Sequence, residues 1–476
     1  MLIPSLIQNV FFLCFACRDE NIIPMTILAV GDDFFSPNID RGGNVIVIFM
    51  DDIGVDKIDA YQKHPQPAYT PNINEIARRG IVFTNAYSNP TCSPSRTSIL
   101  TGKHAYKTDI GRWIYAPEDD FDLQDFEVTL PELLLESPYD YRSVATGKWH
   151  LASFLREQPG LHPLEQGFEH HWGSLSNPLE AVQSGNLPRG YFNWEKNIDG
   201  ELIWTENYLT TDTVNDAIYF TQYLEEPFFL YVPLNAPHSP LHVPPLDLLR
   251  FELTEESSDI EKYEAMIEAM DFEIGRFLES IPLEIQENTT FFLIGDNGTP
   301  MHGIREPFDL ERRKGTVYDG GVLVPFIVWG KLVERIDEKD DHLIHLVDVF
   351  STILDIAGVN PLRQRYLEEP YVGSYLDIDG ESLVPLFSNA YVPWRDTIYT
   401  EGFYPNGQQE REYHKKMIRN QQWKYIRIEK DGAYEESFHE YTDENFDEGP
   451  NLLLQNMTEE ALDVFETLQN QISDME

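Results

Sequence analysis

Cysteine is almost absent from this chain: three in 476 residues, Cys14, Cys17 and Cys92. The first two lie in the N-terminal segment, so no disulfide framework can staple the main body, and the fold must rest on a buried core. Positive charge is scarce too. Lys and Arg number 35 against 81 Asp and Glu, a formal net charge of −46. That field opposes binding to nucleic acid or anionic lipid, and any anionic substrate must be held by a local cationic pocket. No run beyond the N-terminus is apolar enough to span a membrane. Internal repeats and low-complexity tracts are missing as well. What the chain does have is 42% hydrophobic and 13% aromatic residues, which excludes global disorder. Its length predicts one large domain plus a smaller one.

The N-terminus contains a short apolar stretch, Val10 to Ala16, too short for a transmembrane helix but suited to a signal-peptide core. Phe15-Ala16-Cys17 resembles the end of a bacterial lipoprotein signal, in which Cys17 would be lipidated. No Lys or Arg precedes Arg18, so the usual positive n-region is missing and a cytosolic tail stays an alternative. Export, to a periplasmic, outer-membrane or secreted location, is the expectation. Residues 1–43 are read as leader and linker, 44–394 as the catalytic domain, and 395–476 as a small C-terminal unit.

From Asn44 the pattern is α/β. Asn44–Met50 is a continuous apolar run, as expected of a strand buried on both faces. Thr70-Pro71-Asn72 opens a helix that stops near Gly80. Further strands are predicted over Ile81–Tyr87, Tyr141–Thr146, Phe228–Leu234, Thr290–Ile294 and Pro325–Trp329, with helices over Ile260–Leu278 and His342–Ala357. The alternation predicts one large, mostly parallel sheet covered by helices on both faces. Thr397–Thr400 and Trp423–Ile428 read as strands of a small antiparallel sheet, and Thr458–Ile472 as a terminal amphipathic helix, giving an α+β unit.

Open parallel sheets bind ligands beyond the carboxyl ends of their strands. Polar clusters fall there repeatedly: Asp51-Asp52, Gly147-Lys148-Trp149-His150, Asn235-Ala-Pro-His238 and Gly295-Asp296-Asn297-Gly298, with Asn89 to Arg96 after the second strand. Each alone is ordinary, because an Asp pair caps turns and Asp-Asn-Gly is a turn signal. Together they predict one site. Asp51, Asp52, Asp296 and Asn297 offer only oxygen, the preference of Ca²⁺ or Mg²⁺. Lys148, His150 and His238 supply donors and acid/base groups, and Lys314 adds a cation before a glycine-rich turn. Cys92 would open a helix whose first turn contains Pro94 and which ends at Gly102. Free N–H groups and the dipole favour anions at that end, and Arg96 lies four positions on, on the same face.

Cys92-Ser-Pro-Ser-Arg96-Thr-Ser-Ile-Leu100-Thr-Gly102 resembles the signature of the formylglycine-dependent type I sulfatases of the alkaline phosphatase superfamily. Asp51-Asp52, Gly147-Lys-Trp-His150, Asn235-Ala-Pro-His238, Asp296-Asn-Gly298 and Lys314-Gly-x-x-Tyr-Asp-Gly-Gly321 agree with it. The spacing is similar to the arylsulfatase A/B-like and polysaccharide-sulfatase branch. The resemblance implies an alkaline phosphatase-like fold and the conversion of Cys92 to Cα-formylglycine by a separate generating enzyme. It implies one Ca²⁺ held by Asp51, Asp52, Asp296 and Asn297 with the modified Cys92. Arg96 would brace the diol, and Lys148, His238 and Lys314 would grip the sulfate. His238 or Lys314 would protonate the departing alcohol, and His150 would take the proton that releases sulfate.

Two positions depart from the pattern, Ala152 where Gly is common and Leu323 where Arg is common, and neither touches the implied chemistry. A formylglycine-bearing phosphonate or phosphodiester hydrolase is one alternative. An inactive sulfated-glycan-binding protein is another, although a binder needs neither the Cys92 motif nor His150. The expected substrate is a sulfated polysaccharide or its oligosaccharides. Loops over 161–195, 242–256 and 300–311 would shape the rest of the pocket, with Trp172, Tyr191, Trp194 and His302 as sugar-binding candidates.

Overall fold

In β1 (Asn44–Met50), successive side chains point to opposite faces, and all seven residues are buried. Ile46, Ile48 and Met50 join one apolar cluster, while Val45, Val47 and Phe49 join another. The first is roofed by Ile73 and Ile76 of α1 (Pro71–Arg78), the second by Ile99 and Leu100 of α2 (Cys92–Thr101). A continuous apolar run therefore encodes a strand with helices on both sides. The protein is described from a computed structural model, over residues 35–36, 39–183, 189–360, 377–441, 448–455, 457–473 and 475. The expected signal core and Cys17 lie outside these residues.

The remaining strands follow in order as β2 (Gly80–Phe83), β3 (Ala86–Tyr87), β4 (Arg142–Thr146), β5 (His170–Gly173), β6 (Trp194–Ile198) and β7 (Glu201–Thr205). Then come β8 (Phe228–Pro233), β9 (Thr289–Gly295), β10 (Phe326–Gly330), β11 (Glu338–Asp340) and β12 (Ile344–His345). Ten of these form one sheet in the order β11-β2-β10-β9-β1-β8-β4-β5-β6-β7. Its centre, β9-β1-β8-β4, is parallel throughout, so four strands end on one edge. β5 extends that centre in parallel, and antiparallel pairings follow, with β10 beside β9 on one side and β6 beside β5 on the other.

Two expectations are corrected. Ile81–Tyr87 is two strands, because Thr84 and Asn85 bond to the carbonyls of Asp340 and Asp341 and turn the chain. β3 thereby leaves the large sheet and pairs with β12. The helix expected from His342 spans Val347–Ile356, since Asp348 takes the His345 N–H at 2.8 Å and Ile344–His345 is drawn into that pairing. The C-terminal sheet has four strands, β13 (Ile398–Tyr404), β14 (Tyr413–Arg419), β15 (Trp423–Lys430) and β16 (Ala433–Glu440), all antiparallel. The helix Glu459–Ser473 covers it through Ala461, Leu468 and Ile472.

Candidate active site

The parallel centre of the sheet delivers four polar segments to one edge. β1 ends at Asp51-Asp52, β9 at Asp296-Asn297, β4 at Lys148 to His150, and β8 at Asn235 to His238. Asp52 and His150 both occupy the left-handed region, with φ of 63° and 60°. Side chains rarely adopt it without cost, and tertiary bonds hold both residues there. The Tyr263 hydroxyl donates to the Asp52 carbonyl at 2.6 Å, and the Asp52 N–H donates to Asp296 Oδ1 at 3.0 Å. Gly298 lets the Asp296 turn approach the glycine-rich turn, because a Cβ there would lie 2.0 Å from the Gly320 carbonyl oxygen. Cys92 begins α2, which ends at Gly102 with φ +68°.

These residues form one buried cluster. Lys148 Nζ donates to Asp51 and Lys314 Nζ to Asp52. Arg96 reaches Asp296 Oδ2 at 3.0 Å, Asp51 Oδ2 at 3.7 Å and the Lys148 carbonyl at 2.9 Å. Cys92 Sγ lies 3.5 Å from Asp51 Oδ1 and 3.6 Å from Lys314 Nζ. Asn297 Nδ2 donates to Asp52 Oδ1 at 2.9 Å, while its Oδ1 is buried with no hydrogen-bond partner among the described residues. One ligand atom each from Asp51, Asp52, Cys92 and His238 lies within 4.8 Å of the others. Asp296 stands a step back, with one oxygen on Arg96 and the other on the Asp52 N–H.

Burial alone would raise the Asp51 carboxyl, but Lys148, His238, Arg96 and Lys314 hold it well below its usual range. Asp296 is pushed up by burial and by Asp51. Burial and Asp51 push the Cys92 thiol far up, so the unmodified sulfur is a neutral, poor nucleophile. Burial lowers His238 to about 4, and its Nδ1 faces the Ser239 carbonyl at 2.7 Å. That contact makes Nδ1 the N–H and leaves Nε2, 3.9 Å from Asp52 Oδ2, as the free nitrogen. His150 is pushed well down by burial, Lys148 and Arg96. Its Nε2 donates to the Ile114 carbonyl at 3.0 Å, and Nδ1 is buried without a partner among the described residues.

The sugar-binding candidates fare unequally. His302 packs edge-on against Tyr263 at 5.3 Å, and Asp52 and Lys314 act on its ring. Trp172 does not join the cluster. It stacks on Tyr219 at 5.2 Å and donates to Asp199 at 3.3 Å, because its position on β5 faces the helix Leu209–Tyr223. Trp194 and Tyr191 are buried, which removes them as stacking surfaces. Tyr191 instead supports the site: its hydroxyl lies 2.7 Å from the carbonyls of both Asn235 and His238. Sequence reasoning also missed Ser93 and Ile114. Ser93 Oγ donates to the His150 carbonyl and accepts the Ile114 N–H, both at 2.9 Å. No local pattern signals such contacts.

A family model described as Sulfatase matches residues 43–359. The chain belongs to the sulfatase family. It is a sulfuric ester hydrolase of the alkaline phosphatase superfamily, and every residue of the cluster lies inside the matched span. This sulfatase is 29% identical to human N-acetylgalactosamine-6-sulfatase over 385 residues, 75% of this chain and 68% of the relative. An uncharacterized sulfatase of Escherichia coli, YdeN, is 26% identical over 370 residues, 70% of this chain and 59% of that one. Among solved structures, a putative sulfatase from Bacteroides fragilis superposes with a TM-score of 0.72 at 16% identity, covering 92% of this chain and 96% of the other. Ps i-CgsB, solved with a neocarrahexaose, gives 0.69 at 22% identity over 92% and 93%. These two likenesses show the sulfatase's fold, including the large sheet and the four-stranded C-terminal sheet.

Proposed function

We propose that this sulfatase removes sulfate from a sulfated carbohydrate, with Cys92 matured to Cα-formylglycine and Ca²⁺ held by Asp51, Asp52, Asp296 and Asn297. The observation that carries the reading is the setting of Cys92. It lies at the buried start of α2 between Asp51 and Lys314, with its own thiol disabled. The unpartnered Asn297 Oδ1 and the oxygen-only donors suit a hard divalent cation. When bound, that cation would polarise a sulfate oxygen and lower the cost of gathering three carboxylates. The hydrated aldehyde would supply an oxygen nucleophile and a second hydroxyl whose deprotonation releases sulfate.

The chain's own residues do the rest. Lys148 and Lys314 place two ammonium groups where charge accumulates on the sulfate oxygens. Arg96, fully buried and fixed by three contacts, orients Asp51 and Asp296. His150 is locked with its proton on Nε2, so Nδ1 is the position that takes the proton from the second hydroxyl. Lys314 Nζ, which holds its proton, is placed to protonate the leaving alcohol; His238 Nε2 takes that role only after gaining a proton, which an anionic sulfate beside it favours. Export to the cell exterior, where a polymeric substrate is met, is part of the same proposal. The N-acetylgalactosamine-6-sulfatase relative and the neocarrahexaose bound to Ps i-CgsB make sulfated amino sugars and sulfated galactose oligosaccharides the first substrates to try.

Turnover of 4-nitrophenyl sulfate, with bis(4-nitrophenyl) phosphate as control and mass spectrometry of the Cys92 peptide, tests the reading. Sulfate turnover by protein carrying the aldehyde is expected. Faster turnover of the phosphodiester, or full activity with an unmodified thiol, would overturn it.

A further inference from the structure

The segment that carries Ile114 alternates. Ile114 and Ala116 are buried, while Trp113 and Tyr115 on either side are 45% and 39% exposed. Ile114 holds His150 through its carbonyl and Ser93 through its N–H. Both aromatic rings therefore stand one residue from the backbone that fixes a residue of the site. A third ring arrives from the C-terminal sheet. Tyr404, at the end of β13, is 42% exposed, and the Arg112 guanidinium lies 5.5 Å from the Trp113 ring and 4.8 Å from the Tyr404 ring. The two segments are tied together. Asn406 Oδ1 accepts the N–H groups of Gly111 and Arg112 at 3.0 and 3.1 Å, and the Phe403 N–H donates to the Gly111 carbonyl at 3.1 Å.

We infer that Trp113, Tyr115 and Tyr404 form a stacking subsite for an uncharged sugar ring adjoining the sulfated one. The inference rests on the proposed action on a sulfated carbohydrate and adds the chemistry of the neighbouring unit. Exposed rings beside the backbone that holds His150 present the flat apolar face that a pyranose covers. The charges at the rim are already answered within the protein. Arg112 pairs with Asp119 at 2.7 Å, and the Arg411 guanidinium lies over the Phe403 ring at 3.9 Å. Glu118 and Asp120 are exposed beside the same turn. An added sulfate or carboxylate on the neighbouring sugar would meet these exposed carboxylates and a chain of net charge −46. The subsite selects against it.

The test measures kcat and KM on 4-nitrophenyl sulfate and on matched sets of sulfated sugars. Each set holds a sulfated monosaccharide, an oligosaccharide with an unsulfated neutral neighbour, and one with a sulfated neighbour. The sets are built on galactose, N-acetylgalactosamine and glucosamine. The expected order in the set the enzyme accepts is neutral-neighbour oligosaccharide first, with Trp113→Ala and Tyr404→Ala each cutting its advantage over the monosaccharide by about 3–10-fold through KM. Unchanged ratios in both variants, preference for the sulfated neighbour, or turnover of the aryl sulfate with no sugar set accepted would overturn the subsite. Failure to turn over any sulfate ester would instead overturn the proposed function.

Discussion

Two of the buried charge clusters among the described residues use nearly the same residue types to opposite ends. At the strand ends, Asp51, Asp52 and Asp296 face Lys148, Lys314 and Arg96. At the seam between the glycine-rich turn and the C-terminal sheet, Asp319 and Glu448 face Lys424 and Arg419. Asp319 Oδ1 accepts from Tyr87, Lys424 and Tyr441 at 3.1, 2.9 and 2.9 Å. Glu448 Oε1 accepts the Asp319 N–H at 2.6 Å and Lys424 at 2.5 Å, and Arg419 donates to the Tyr87 hydroxyl at 2.6 Å. Burial works against Asp319, yet Lys424 and Arg419 keep its carboxyl low. In the seam, each charge faces an opposite one: even Glu448 Oε2, which accepts no hydrogen bond among the described residues, lies 3.6 Å from the Arg312 guanidinium. At the strand ends, Asn297 Oδ1 and His150 Nδ1 are kept open inside the same kind of setting. A buried charged cluster fastens a fold when its groups are matched, and becomes a site when some are withheld.

The largest break in this comparison is chemical. Cys92→Ala removes the proposed nucleophile and should lower kcat by a factor on the order of 10⁴–10⁶, the scale for losing a group that acts as part of a unit. Its melting temperature should stay close to that of the parent, because the thiol's contacts are two long sulfur contacts. Measured turnover within tenfold of the parent would remove Cys92 from the mechanism.

The reciprocal break is structural. Lys424→Met leaves Asp319 and Glu448 buried without their shared cation, and should cost about 3–5 kcal/mol of stability. Urea unfolding reads the loss, and the folded fraction should keep turning over aryl sulfate. A variant as stable as the parent would show that the seam is not the fastening it resembles.

Between these lies the metal. Asn297→Ala deletes the open oxygen and should weaken Ca²⁺ binding by about 10–100-fold, read by calorimetry. The metal-free protein should lose no more than about 1–2 kcal/mol, the worth of the Nδ2 bonds to Asp52 and the Gly298 carbonyl. Undiminished Ca²⁺ affinity, or stoichiometric zinc in active enzyme, would sink the assignment.

Legibility in the sequence followed the same divide. β1, β8 and β9 were readable because strands buried on both faces are largely continuous apolar runs, and the clusters after them stood out by contrast, as did the one after the more polar β4. β14 and β16 were not, because Tyr413-His-Lys-Lys and Tyr434-Glu-Glu carry polar residues through their strands. The break inside Ile81–Tyr87 was hidden because the bonds that turn it come from Asp340 and Asp341, more than 250 residues away. Trp172 was misjudged because aromatic type does not reveal which face of a strand a ring occupies. His150 was readable as a member of the site, but its free nitrogen depends on Ile114, which no motif contains.

The smallest test concerns how an open site keeps its shape. Tyr191 lies between β5 and β6, far in sequence from the turn that carries His238, yet its hydroxyl touches the carbonyls of Asn235 and His238 at 2.7 Å each. A hydroxyl has one proton, so the two carbonyls share it, and the turn is drawn toward one point. The ring itself is buried and packs near His242 at 4.3 Å. Tyr191→Phe keeps that packing and deletes only the shared bond. Stability should fall by about 1 kcal/mol, the net worth of one buried hydrogen bond. If the bond also positions His238, kcat should fall up to about tenfold while KM for a small aryl sulfate moves less, because His238 would be misplaced in the transition state more than in the bound substrate. A variant that loses stability with kcat unchanged would assign Tyr191 to packing alone. A variant that loses kcat would show that the withheld groups at the strand ends still need matched ones behind them.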